Sequence, residues 1–120
     1  MNWYKLASII SIYRGENVSS QNRGKIIGYY SVDREFARQF TQTGQDKEVK
    51  ERKIDLNAIY DARQEGKPLP SANNEADFEN AMRRAAELGY SAFRLTEGPN
   101  QPDSIYIMDW RKAFHPNTFK

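Results

Sequence analysis

The chain has 120 residues, the span of one domain, and its 18 Lys plus Arg against 16 Asp plus Glu leave a net charge of +2, too small to require a polyanionic partner. Hydrophobic residues at 38% and aromatics at 12% favour a packed core over disorder. The absence of Cys excludes disulfides, thiol nucleophiles and thiolate-bound zinc. No stretch approaches the ~18–20 apolar residues of a membrane-spanning helix, and Lys5 breaks the apolar opening, which carries no small-residue cleavage site. The expectation is a single domain over 1–120, cytoplasmic and without membrane contact.

Lys5 to Arg14 carries Leu6, Ile9, Ile10, Ile12 and Tyr13 and closes with Arg14-Gly15-Glu16, which reads as a buried strand. Residues 15–24 are polar and loop-like, a connection long enough to cover a site. Lys25 to Ser31 (KIIGYYS) reads as a second strand, with Gly28 permitting a bulge or a close approach. Asp33 is placed to cap a short helix, Arg34 to Phe40, with Phe36, Ala37 and Phe40 on one face. After a turn at Gln42 to Lys47, Glu48 to Ile54 alternates but is so charged that it suits an exposed or edge strand. Leu56, Ile59 and Tyr60 suit one helical turn, and 61–74, with Gly66, Pro68 and Pro70, suits a loop. Glu75 to Leu88 is the main helix: Asn73 or Asn74 caps it, Gly89 stops it, and Phe78, Ala81, Met82, Ala85 and Ala86 form its apolar stripe. Tyr90 to Leu95 and Ile105 to Trp110 complete the strands, joined by a Gly/Pro/Asn turn over Thr96 to Pro102. The pattern predicts an α+β fold: a curved, mostly antiparallel sheet with one main packed helix and a short second helix.

Common catalytic signatures are missing, with no Walker loop, GxGxxG, HExxH or GxSxG in the chain. The one His, His115 beside Pro116, reads as a surface residue, which argues against His-dependent hydrolysis; no metal is expected. What remains is a set of polar residues at strand ends. Arg14 closes the first strand, Tyr29, Tyr30 and Ser31 close the second, and Gln101 and Asp103 precede the last. Singly, each has an ordinary reading as a surface ion pair, a sheet-packing ring or a turn residue.

Taken in order, Ile12 to Glu16 (IYRGE), Gly28 to Phe40 (GYYSVDREFARQF), Gly89 to Gly98 (GYSAFRLTEG) and Gln101 to Asp109 (QPDSIYIMD) resemble the ADP-ribosyltransferase fold family. These are small NAD-dependent enzymes that include bacterial toxins and phage-encoded modifiers. The resemblance implies a split two-sheet core, an NAD-binding Arg at the end of the first strand, and a late turn that delivers a catalytic carboxylate onto the final strand. On that likeness Arg14, beside Gly15, binds NAD, Ser31 braces the site, and Tyr29 or Tyr30 lies near the nicotinamide, with Phe36 as a further contact. Alternation sets Tyr29 and Ser31 on one sheet face and Tyr30 on the other, so one tyrosine is expected in the pocket. Asp103 takes the place of the catalytic carboxylate, and Gln101 that of the residue addressing the target. The family's carboxylate is a Glu, one methylene longer than Asp, and Glu97, Asp103 and Ser104 all lie near the required place.

The function so implied is transfer of ADP-ribose from NAD, as substrate, to a macromolecular target, by preference a bacterial protein, in a toxin or phage-type effector. Loops 15–24 and 61–74, carrying Arg23, Arg63 and Lys67, would meet that target. A second reading is a non-catalytic inhibitor on the same scaffold, blocking for example a bacterial defence complex. Seven Tyr, six Phe and two Trp would suit such a protein-binding face. A nucleic-acid-binding domain comes third, because the basic residues are spread along the chain rather than clustered.

Overall fold

The computed structural model describes residues 8–15, 28–41, 43–45 and 48–114. Strand β1 (Ile9–Gly15) ends on the expected Arg14-Gly15; the start of that expected strand, loop 16–24 and residues 25–27 lie outside the described residues. Strand β2 is Tyr29–Ser31. Gly28 precedes it at φ 91°, where a Cβ would lie 2.9 Å from the Tyr106 ring. Helix α1 (Arg34–Arg38) begins where the Asp33 carboxylate accepts a hydrogen bond from the Phe36 amide at 2.8 Å, as a short polar side chain at an N-cap does. Strand β3 (Val49–Asp55) follows.

Leu56, Ile59 and Tyr60 do not form the expected helical turn. A 3₁₀ turn at Leu56–Ala58 leads into strand β4 (Ile59–Tyr60), whose two residues are buried and pair in parallel with Ala92 and Phe93. Packing between distant elements decides this segment, and local pattern does not. Helix α2 (Glu75–Glu87) is capped by Asn74, which accepts from the Asp77 amide, and stops before Gly89 at φ 84°. Its buried stripe is Ala81 and Ala85 with Phe78 and Met82 half-buried, while Ala86 faces solvent.

Strands β5 (Ala92–Leu95) and β6 (Ser104–Ile107) close the sheet. The last strand stops short of Trp110 because the Met108 and Asp109 amides turn to the Ser91 carbonyl. Asp109 then caps a short helix, α3 (Trp110–Ala113).

The strands form one six-stranded sheet in the order β3-β1-β2-β6-β5-β4, antiparallel except for β4 with β5. It is an α+β fold with a curved sheet and one main helix. The resemblance implies two sheets; here a single residue pair, Tyr13 opposite Ser31, joins β1 to β2, so the sheet is narrowest at that seam. Alternation and register set Tyr13, Tyr29, Ser31, Phe93, Leu95, Ser104 and Tyr106 on one face. Ile12, Tyr30, Ile105 and Ile107 take the other and pack with Phe114 and Ala113. No helix among the described residues is long and apolar enough to cross a membrane.

Candidate functional site

Two helices stand on the Tyr29–Ser31 face and leave a gap between them. Helix α1 sits tightly on β1 because Gly15 has no side chain: a Cβ there would lie 2.7 Å from the Ala37 carbonyl oxygen and 2.8 Å from the Phe40 carbonyl carbon. Helix α2 is seated through Phe78, whose ring meets Phe93 at 5.2 Å and Tyr106 at 4.9 Å, both edge-on. The sheet floor between them forms a cleft of about 540 Å³, a volume suited to a small organic ligand. Its sheet side is lined by Tyr13, Arg14, Gly15, Tyr29, Tyr30 and Ser31, and its α1 side by Phe36, Ala37 and Phe40. Ser104, paired with Ser31, continues the sheet side, and Ala72, Asn73 and Glu97 complete the lining.

The polar groups in this cleft are held in place. The Ser104 hydroxyl, on a residue 3% exposed, donates to Glu97 Oε1 at 2.6 Å. Ser31, 4% exposed, accepts from the Asp33 amide at 3.0 Å. The Tyr29 ring stacks on Phe78 at 5.9 Å and meets Tyr106 edge-on at 5.1 Å. Burial first, then the charge of Glu97 and the neighbouring Tyr106, pushes the Tyr29 hydroxyl up to about 12, so it stays a neutral donor at physiological pH.

Glu97 is in turn tied to the segment before α2. The Thr96 amide donates to the Pro70 carbonyl and the Ala72 amide to the Thr96 carbonyl, both at 2.9 Å, around a parallel bridge between Ser71 and Thr96. One wall of the cleft is therefore a hydrogen-bonded join of two chain segments.

Arg14, Gly15, Tyr29, Tyr30, Ser31 and Phe36, the residues expected to bind NAD, all border this one cleft. Their contributions differ. The Tyr30 ring points to the opposite core, where it meets Phe114 edge-on at 5.4 Å, so of the two tyrosines Tyr29 is the one on the cleft face, beside Tyr13. Arg14 shares the alternation of Tyr30 and reaches the cleft at the end of β1.

The two residues expected to be catalytic lie elsewhere. Asp103 accepts from Arg94 Nε at 2.7 Å, and Gln101 lines a separate open hollow with Asp33, Glu35 and Pro102. The reason is parity: Ser104 faces the cleft, so Asp103 before it faces away, and Arg94, out of phase with Leu95, faces away with it. Among the described residues, the carboxylate that lines the cleft is Glu97. Its signal was readable, since continuing the Phe93, Leu95 alternation puts Glu97 on the Ser104 side.

Of the loop cations, Arg63 pairs with Asp61 at 2.7 Å and Lys67 lines a smaller hollow of about 260 Å³ beside α2. Arg23 lies outside the described residues. No group of three or more His, Asp or Glu among the described residues is placed to hold a metal ion. No protein-family model, curated protein or solved structure matches the chain.

Proposed function

We propose that the cleft binds NAD as substrate and transfers its ADP-ribose to a macromolecular target, by preference a bacterial protein, within the cytoplasm. The observation that carries this reading is the meeting of a Ser104-held carboxylate, Glu97, with the Tyr29 ring and Arg14 around one hollow of about 540 Å³. The resemblance of the sequence to ADP-ribosyltransferases supports it, with Glu97 taking the role first expected of Asp103.

In the reaction the bond from the ribose carbon to the nicotinamide nitrogen breaks, and nicotinamide leaves with the electron pair. Glu97 stabilises the positive charge left on the ribose. A nucleophile of the target then bonds to that carbon and gives its proton to water. The planar, paired donors of Arg14 suit the dianionic pyrophosphate, and the Tyr29 ring offers a surface to the flat nicotinamide.

The test is incubation with labelled NAD and a bacterial lysate. Label is expected on a protein, Glu97→Gln is expected to lower transfer by about 100-fold or more, and Asp103→Asn is expected to keep it. A wild-type protein that neither labels a target nor binds NAD in calorimetry refutes the reading.

A further inference from the structure

We infer that Asn73 sets the ligand specificity of the cleft by hydrogen bonding a carboxamide on the ligand's flat ring, an inference that rests on the NAD reading above. Asn73 lines the same wall as Glu97, and its backbone is held from both sides. Its amide donates to Ser71 Oγ at 3.1 Å, Ser71 bridges to Thr96, and the next residue, Asn74, caps α2.

The two serine hydroxyls at this end of the cleft are already engaged. Ser31 Oγ accepts from the Asp33 amide, and the Ser104 hydroxyl is given to Glu97. The Asn73 side-chain amide makes no hydrogen bond among the described residues. It therefore presents both a donor and an acceptor to whatever enters, and a carboxamide is a group that answers both at once.

Its neighbours give the orientation. Glu97 is close enough to Tyr29 for its charge to act on the tyrosine hydroxyl, so an aromatic surface, a carboxylate and an uncommitted amide stand together. A ring laid on Tyr29 would lie in the cleft that Glu97 and Asn73 also line, the carboxylate for its reacting end and the amide for its carboxamide. Arg14 at the end of β1 and Phe40 on the α1 side remain for the rest of the ligand. A site that hydrogen-bonds one ligand group rejects the analogue that lacks it.

The experiment is a calorimetric titration of wild type and Asn73→Ala with NAD and with its acetylpyridine analogue, in which a methyl ketone replaces the carboxamide and removes its N–H donors. Wild type is expected to bind NAD about two- to tenfold more tightly than the analogue, the span of one hydrogen bond. Asn73→Ala is expected to close that gap, losing more affinity for NAD than for the analogue, whose ketone oxygen still accepts from Asn73 in wild type. The variant folds, because Asn73 is exposed and its bond to Ser71 uses the backbone. Equal affinities in wild type, or an undiminished preference in Asn73→Ala, overturn the inference while NAD binding stands. A wild type that binds no NAD removes both readings.

Discussion

Glu65 shows how one side chain ties β4 to α2. It accepts from the Tyr60 hydroxyl at 2.5 Å and from Arg84 of α2 through Nε at 3.1 Å and Nη2 at 2.6 Å. The Arg84 and Tyr60 bonds hold its carboxyl down at about 2, while burial and that carboxylate push the Tyr60 hydroxyl up to about 12. Because the folded value lies below the unfolded one of roughly 4.3, the stabilisation is complete above that pH and is lost as pH falls toward 2. Melting temperatures measured from pH 7 to pH 2 should drop across this window, and Glu65→Gln should start lower at neutral pH and fall less. An unchanged acid limb in the variant would remove Glu65 as its cause. Asp61, held down by Arg63, and Glu51, held down by Lys53 and Ser11, act in the same direction, so part of the limb persists.

Between elements, the contact of α1 with β1 is the one that shapes the cleft. The backbone around Ala37 and Phe40 lies where a side chain on Gly15 would be, so Gly15→Ala must push helix and strand apart. A loss of about 1–3 kcal/mol, typical of overpacking, is expected in urea denaturation, together with weaker NAD binding under the proposed function. A variant as stable as wild type would show that α1 gives way freely. At the far edge, β3 pairs along its length with β1, and apart from the Ile54–Phe114 bridge no strand lies beyond it among the described residues. Lys50, Glu51, Arg52 and Lys53 blunt that edge against pairing with another chain.

Taken whole, the molecule is a sheet with a separate core on each face. One is built on Ile12, Ile54 and Ile105 under Phe114, and the other on Phe93 and Leu95 under Ala81 and Ala85. Phe93 is fully buried and meets Phe78 and Tyr106, the same rings that support Tyr29. Phe93→Ala should cost about 3–5 kcal/mol, a large share of a total of roughly 5–15 kcal/mol. Guanidinium denaturation would read that loss, and a shift of less than about 1 kcal/mol would show that the two cores share the load differently.

The amino-acid sequence alone determined the features that depend on near neighbours. Asp33 and either Asn73 or Asn74 at helix starts, Gly89 at a helix end and the charged alternation of β3 act over a few residues, so their physics is local and legible. Tertiary structure alone decided what depends on pairing over long separations. Ile59 and Tyr60 become a strand because β5 lies beside them, and Trp110 starts a helix because Ser91 captures the chain before it. Glu97 rather than Asp103 enters the cleft because the register of Leu95 with Ser104 settles the parity of every side chain around that turn, and Asn73 joins it through Thr96. A one-residue difference in register reverses which face a side chain takes, and register is set by partners far away in the chain.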